Sequence, residues 1–314
     1  MAGKRAFQQI GRSPRKVDGL AKCAGATKFA DDLVLPRMLI ARLHRSPLAH
    51  GRIVSIDVSA AEKVPGVKAI LLGRDLPTPF GILPVSEDEH ALALDRVRFV
   101  GDPVAAVAAV DEDAACEAAC AIRVEYEPLP AVYGPEEALA MPEPRIHDYG
   151  EEGNVHKKVA LEFGDLEAGF REAEETFEDT FFFGGNTHLP MEQHAALAAV
   201  EPDGRVTIWS STQTPHYLHR AAAKVLRLPA SRIRVIACPN GGGFGGKSDP
   251  FNHEIVAAKM ALMTGRPVKI CLNREEVFYC HRGRHPVLME VRTGVKRDGD
   301  RVAITAQRLR TALD

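Results

Sequence analysis

The segment Asn240 to Ser248, NGGGFGGKS, offers the clearest opening for chemistry in this sequence, with five glycines in the six positions 241–246. Glycine lacks a Cβ and accepts positive φ, so successive N–H groups can turn into one concavity that suits an anionic oxygen or a phosphate. A helix starting nearby adds the positive end of its dipole. A plain chain reversal needs only one or two glycines. Gly241 to Ser248 also fits the nucleotide-loop pattern G-x-x-x-x-G-K-S, in which the lysine, here Lys247, reaches phosphates and the serine, Ser248, binds magnesium. Asp249 and Pro250 oppose that reading, because they put an acid and a proline where the phosphate-binding helix should already be hydrogen-bonded. The next apolar strand, PVKICL, runs into Asn273 instead of a magnesium-binding aspartate. A P-loop NTPase stands as the alternative from another functional class.

Other reactive side chains are scattered. Gln213 reads as a turn residue between the strand VTIWSS and Pro215. Lys247 is either a solvated lysine at a helix start or a charge partner for a ligand. Glu192, in LPMEQHAALA, is a buried acid near a site or the polar residue ending a strand, and is taken as structural. His216 and His219 share one helix, and His281 and His285 flank a turn beside Cys280. Without a second ligand pair of the usual spacing, they read as surface or packing histidines and not as a zinc site. Cys116 and Cys120, four apart in DEDAACEAACAI, read as small hydrophobes of an alanine-rich amphipathic helix. With Cys23, Cys238, Cys271 and Cys280 they lack CxxC spacing and are expected to be reduced thiols; ferredoxin-like spacing is absent.

The elements that must position these groups give an α+β protein. MLIARLHRS, RIVSIDVS, VKAILLG and PVAAVAAV alternate with turns and the DEDAACEAAC helix, which defines a compact unit over 12–132. Residues 133–158, rich in proline and acid, read as an exposed connector. In the unit from 159 to 314, DLEAGFREAEETFEDTFFF opens with an aspartate cap and a helical pattern. There follow the strands AALAAV and RVTIWSS, the helix HYLHRAAAKVLRL, the strand IRVIACP, the glycine loop, a helix from about His253 to Thr264, and PVKICL. The terminal RVAITAQRLRTALD alternates like a strand without a closing turn, so the chain is expected to stop inside a longer element. A net charge of -2 gives no basic field for nucleic acid or anionic lipid. No stretch approaches the roughly 20 apolar residues of a membrane span, and no secretory leader is evident, so a cytoplasmic location is expected.

GGGFGGK is similar to the molybdopterin-binding signature of the xanthine oxidase and aldehyde oxidase family. WSSTQTPHYLHRAAAKVL, LNREEVF and GRHP resemble further segments of that family. GRSPRKVDGLAKCAGATKFADDL, RSPLAHGRI, VPGVKAIL and RFVGDPVAAVAA resemble its a/b hammerhead domain. Within the family, GGKSDPFNHEIVAAKMAL and EEVFYCHRGRHPVLMEVRTGV look most like the large subunit of 4-hydroxybenzoyl-CoA reductase. The resemblance implies an a/b hammerhead domain followed by the first part of a mixed α/β molybdopterin-binding domain. It implies a molybdenum–molybdopterin cofactor, possible in dinucleotide form, whose dithiolene sulfurs hold the metal, so that no protein side chain need ligate it. Gln213 would then hydrogen-bond an oxygen ligand of the metal and Phe244 would present its N–H to the oxo group, with Gly242, Gly243 and Gly245 admitting the cofactor closely. Ser248 stands where purine-oxidising members carry a glutamate, which favours a different substrate, an aromatic CoA thioester. The family's catalytic glutamate is expected beyond Asp314, so this stretch alone is expected to be inactive. FAD and iron–sulfur clusters are expected on partner subunits. The implied reaction is reductive dehydroxylation of 4-hydroxybenzoyl-CoA to benzoyl-CoA; the alternative within the family is an aldehyde or N-heterocycle hydroxylase.

Overall fold

The computed structural model describes residues 7–82, 87–150, 152–280, 282–299 and 301–313. Strands β1 (Leu39–Arg45), β2 (Gly51–Asp57) and β3 (Val67–Leu72) precede β4 (Pro103–Ala109), which is buried at every position. Helix α1 (Glu112–Ala121) follows at once, capped by Asp111, whose carboxylate accepts the Ala114 N–H at 2.9 Å. The two-residue alternation of β4 turns Ala105, Val107 and Ala109 toward Ala114, Ala115, Ala118 and Ala119 of α1, while Ala106 and Ala108 face the main core on the other side. Side chains this small let helix and strand approach closely. The alanines fill the buried stripe of α1, so Cys116 and Cys120 are displaced to its exposed side. That corrects their expected role as core hydrophobes.

β5 (Arg123–Pro128) pairs with β2. The segment 133–158 contains a short helix, Pro135–Ala140, that its sequence pattern did not show. It is fastened to the preceding unit by Arg96, which binds both Asp148 oxygens at 2.7 and 2.8 Å, and by Arg98, which donates to the Ile146 carbonyl at 2.9 Å. Helix α2 (Leu166–Glu172) begins at the Asp165 cap as expected but ends after two turns. ETFEDTFFF, rich in aromatic and β-branched residues, is instead the strand β6 (Glu175–Phe183).

β7 (Ala195–Val200), β8 (Val206–Ser210), α3 (Pro215–Leu226), β9 (Ile233–Ala237), α4 (Asn252–Thr264), β10 (Val268–Cys271) and α5 (Arg274–Tyr279) follow, then the long hairpin of β11 (Val287–Asp298) and β12 (Arg301–Leu313). The principal sheet runs β9-β8-β7-β10-β1-β4-β3. β10 lies parallel to β1, Leu39 opposite Val268, so strands from before and after the connector share one sheet. α4 is buried along most of its length because it lies against this sheet, with Ile255, Val256, Met260 and Ala261 in the core beside Leu39, Leu71, Ile208 and Ile270. A second sheet, β12-β11-β6, carries α2 on one face. Among the described residues no helix is long and apolar enough to cross a membrane.

Candidate functional site

Two turns at one end of the principal sheet meet: Ser211–Thr214, between β8 and α3, and Pro239–Asp249, between β9 and α4. β8 and β9 are parallel neighbours, so both turns leave the sheet at the same edge. They are then stitched together. Gln213 N–H donates to the Lys247 carbonyl at 2.8 Å, Asn240 Nδ2 to the Ser211 carbonyl at 3.0 Å, and Thr214 Oγ1 to the Ser248 carbonyl.

The glycine turn is tight. Gly246 N–H donates to the Gly243 carbonyl at 2.7 Å and Ser248 N–H to the Gly245 carbonyl at 3.1 Å. Gly242 and Gly245 have φ of 113° and 93°, and between them Phe244 is held at φ 53° and is 71% exposed. A left-handed phenylalanine costs on the order of 1–2 kcal/mol, so the surrounding bonds must impose it. Gln213 supplies two of them: its Oε1 accepts the N–H of Gly245 at 3.0 Å and of Lys247 at 3.2 Å. Gly243 is glycine for a steric reason, since a Cβ there would lie 2.4 Å from that same oxygen. Among the described residues, the N–H groups of Gly242, Gly243 and Phe244 and the Gln213 Nε2 have no protein acceptor.

Lys247 is only 1% exposed. Its Nζ lies 2.6 Å from Glu192 Oε2, and that oxygen also accepts the Gly241 N–H at 2.9 Å. Burial pulls the lysine below its ordinary pKa while Glu192 opposes the shift. The solvated reading of Lys247 therefore falls, and Glu192 proves to belong to the turn. The nucleotide-loop reading fails too. The lysine is committed to a carboxylate, and α4 starts at Asn252, four residues beyond Ser248, so no helix N-terminus closes the loop. Ser248 is half-buried. Beside it Asp249 pairs with Arg282 at 2.8 Å, and Arg282 also binds Glu89 of the first unit.

Beneath the turn lies a buried polar floor that the sequence pattern did not reveal. His194 Nε2 is 3.3 Å from the Gly246 carbonyl, and the His188 ring packs against Gly246. His253 is enclosed with neither ring nitrogen partnered among the described residues, and burial holds it well below the ordinary imidazole pKa. Glu254 accepts from Ser210 Oγ and from Phe251 N–H at 2.7 Å, and burial raises its pKa to about 7. The only hint in sequence was polar residues directly flanking the buried runs AALAAV and IVAAKMAL. The histidines singled out in the sequence as a zinc alternative are placed differently. His216 and His285 are exposed, His219 bonds the Ala230 carbonyl, and His281 lies outside the described residues. Among the described residues no three His, Cys, Asp or Glu side chains converge as a metal-binding group.

A family model described as "Molybdopterin cofactor-binding domain" matches residues 146–312, and one described as "Aldehyde oxidase and xanthine dehydrogenase, a/b hammerhead domain" matches residues 24–130. The chain belongs to the aldehyde oxidase and xanthine dehydrogenase family. It is 38% identical over 303 residues to the nicotinate dehydrogenase large molybdopterin subunit of Eubacterium barkeri, covering 96% of this chain and 70% of that one. It is 34% identical over 280 residues to the gamma subunit of the 6-hydroxypseudooxynicotine dehydrogenase complex of Paenarthrobacter nicotinovorans, covering 85% of this chain and 35% of that one. The quinoline 2-oxidoreductase structure from Pseudomonas putida 86 superposes with a TM-score of 0.87 at 33% identity, over 96% of this chain and 39% of that one. This chain thus spans most of the first relative and well under half of the other two. The a/b hammerhead and molybdopterin-binding folds expected from the sequence are both present, and the family is one of molybdenum-dependent dehydrogenase and oxidase subunits.

Proposed function

We propose that this chain is the cofactor-holding part of a molybdenum oxidoreductase and that its grip on the cofactor is the glycine turn with Gln213. One observation carries the reading: the N–H groups of Gly242, Gly243 and Phe244 and the Gln213 Nε2 have no protein acceptor among the described residues, on a turn that leaves Phe244 exposed. A donor set made only of N–H groups fits an oxygen-rich anionic cofactor that brings its own metal ligands. When bound, such a cofactor supplies two-electron oxidation and reduction. The chain's residues bind and orient it. Gln213 does both, because its Oε1 is fixed by two loop amides and its Nε2 is thereby directed away from them. Gly242 and Gly245 let the backbone turn, Gly243 makes room for Gln213, and Ser248 offers the substrate side a neutral hydroxyl. Partner subunits carrying iron–sulfur clusters and FAD complete the assembly.

For the substrate, a neutral hydroxyl at Ser248 disfavours a purine that needs a carboxylate partner. An aromatic N-heterocycle is supported by the likeness to proteins named for nicotinate and quinoline. 4-Hydroxybenzoyl-CoA is supported by the resemblance of two segments, 245–262 around Ser248 and 275–295 downstream of it, and the notion of an aryl thioester rests on them. Metal analysis of the assembly, co-expressed with its partners, is expected to find molybdenum, and turnover assays with nicotinate, quinoline, 4-hydroxybenzoyl-CoA and xanthine would rank the substrates. An intact assembly without molybdenum would end the proposal, and turnover fastest on xanthine would end the role given to Ser248.

A further inference from the structure

We infer that the buried Lys247–Glu192 pair is a latch that holds the glycine turn in its cofactor-binding shape, which makes both side chains positioning residues. The inference rests on the cofactor reading above and extends it to two residues that touch no ligand in that reading.

Glu192 grips the turn at both ends. Its Oε2 accepts the Gly241 N–H at 2.9 Å and faces Lys247 Nζ at 2.6 Å, while its own N–H donates to the Gly241 carbonyl at 3.2 Å. It lies directly against the backbone, since a Cβ on Gly241 would come within 2.7 Å of the Glu192 Cβ. Lys247 is held at three atoms: its N–H by Gln213 Oε1, its carbonyl by Gln213 N–H, and its Nζ by Glu192. The residues between these anchors include Gly242, Gly243 and Phe244, whose amides donate to nothing in the protein among the described residues. The strand approach is also tied down, because Arg274 donates to the Pro190 and Met191 carbonyls at 2.8 and 2.6 Å.

Stability does not account for the pair. Desolvating two charges offsets most of their attraction, and an apolar pair of similar volume often serves a fold as well or better. Here the second Glu192 oxygen is buried without a partner among the described residues, a further cost to the fold. What the charges provide is a fixed geometry at the two ends of a strained turn.

The test uses the assembly with its partner subunits and compares wild type, Glu192→Gln, Lys247→Met and the double variant Glu192→Leu/Lys247→Met. Molybdenum per polypeptide, the electron paramagnetic resonance line shape of the partly reduced metal, and the unfolding midpoint are measured on each. The double variant, which leaves no charge buried alone, is expected to keep its midpoint, to hold about tenfold less molybdenum, and to show an altered line shape for what remains. Wild-type molybdenum and line shape in a folded double variant would overturn the inference while leaving the cofactor reading intact. Failure of the double variant to fold would also overturn it, because the pair would then hold the fold and not the turn. Absence of molybdenum from the wild-type assembly would remove the cofactor reading itself.

Discussion

The seam between α1 and β4 and the glycine turn belong to opposite halves of one sheet and are built on opposite terms. In the seam, Ala105, Val107 and Ala109 meet Ala114, Ala115, Ala118 and Ala119, all buried, apolar and in unstrained backbone. At the turn, a buried lysine meets a glutamate whose side chain is 10% exposed, His194, His253 and Glu254 lie buried beneath, and a phenylalanine is held at positive φ among amides that have no protein acceptor among the described residues. The first arrangement gains by close packing and would suit any protein with this sheet. The second costs stability at almost every group, which is the usual mark of a place kept for a ligand.

The largest expected effect is a pH dependence that the two halves share. Glu254 beneath the turn and Asp102 in the first unit are both raised by burial to about 7, from 4.5 and 3.8 respectively. A raised carboxyl is neutral in the fold, so its contribution is fully present below the unfolded pKa and is lost as pH climbs through the folded one. Stability should therefore fall as pH rises from 3.8, where the Asp102 share begins, through 4.5, where that of Glu254 begins, to about 7, by on the order of a few kcal/mol, read by urea unfolding. Glu254→Gln should remove the turn's share of that fall and Asp102→Asn the other share. If neither flattens the profile, the assignment of these acids as neutral is wrong.

Next comes Ala118→Leu in the seam, expected to destabilise by about 1–3 kcal/mol through overpacking while the folded fraction keeps its metal signature. Tolerance without loss would mean the seam is looser than its burial indicates. Gly243→Ala should do the converse. The three atoms nearest its Cβ are Oε1, Cδ and Cγ of the Gln213 side chain, which can swing away, so the fold survives and Gln213 releases the amides of Gly245 and Lys247. Molybdenum content is expected to drop about tenfold with little change in unfolding midpoint, and an unchanged content would separate Gln213 from the site. The smallest effect is Asp111→Ala, which removes the cap of α1 for about 1 kcal/mol, visible in the unfolding midpoint and absent from any property of the turn.

Much of this was legible in the residues. The helix expected from about His253 to Thr264 spans Asn252–Thr264, and PVAAVAA, Pro103–Ala109, is the buried strand its composition indicated, with Val110 exposed just beyond it. The glycine turn declared itself because its composition has few other uses. Less was legible where distant parts decide. Cys116 and Cys120 looked like core residues because helical periodicity marks a face but not which face is covered, and the alanines one position away took the buried stripe. The aspartate cap predicted where α2 starts, and aromatic β-propensity overrode the helical pattern beyond Glu172.

By itself the sequence determined local features: where most of the helices and strands fall, that the run 241–246 must turn sharply, and what kind of ligand a glycine-rich run of amides suits. Only the tertiary structure decided that Lys247 faces a carboxylate 55 positions earlier, that β1 lies beside β10, and that Gln213 and Gly243 touch. Propensity, period and turn chemistry act over a few residues and can be read from neighbours in the chain. The state of a buried charge depends on what packs against it, and that is fixed only once remote strands have joined one sheet.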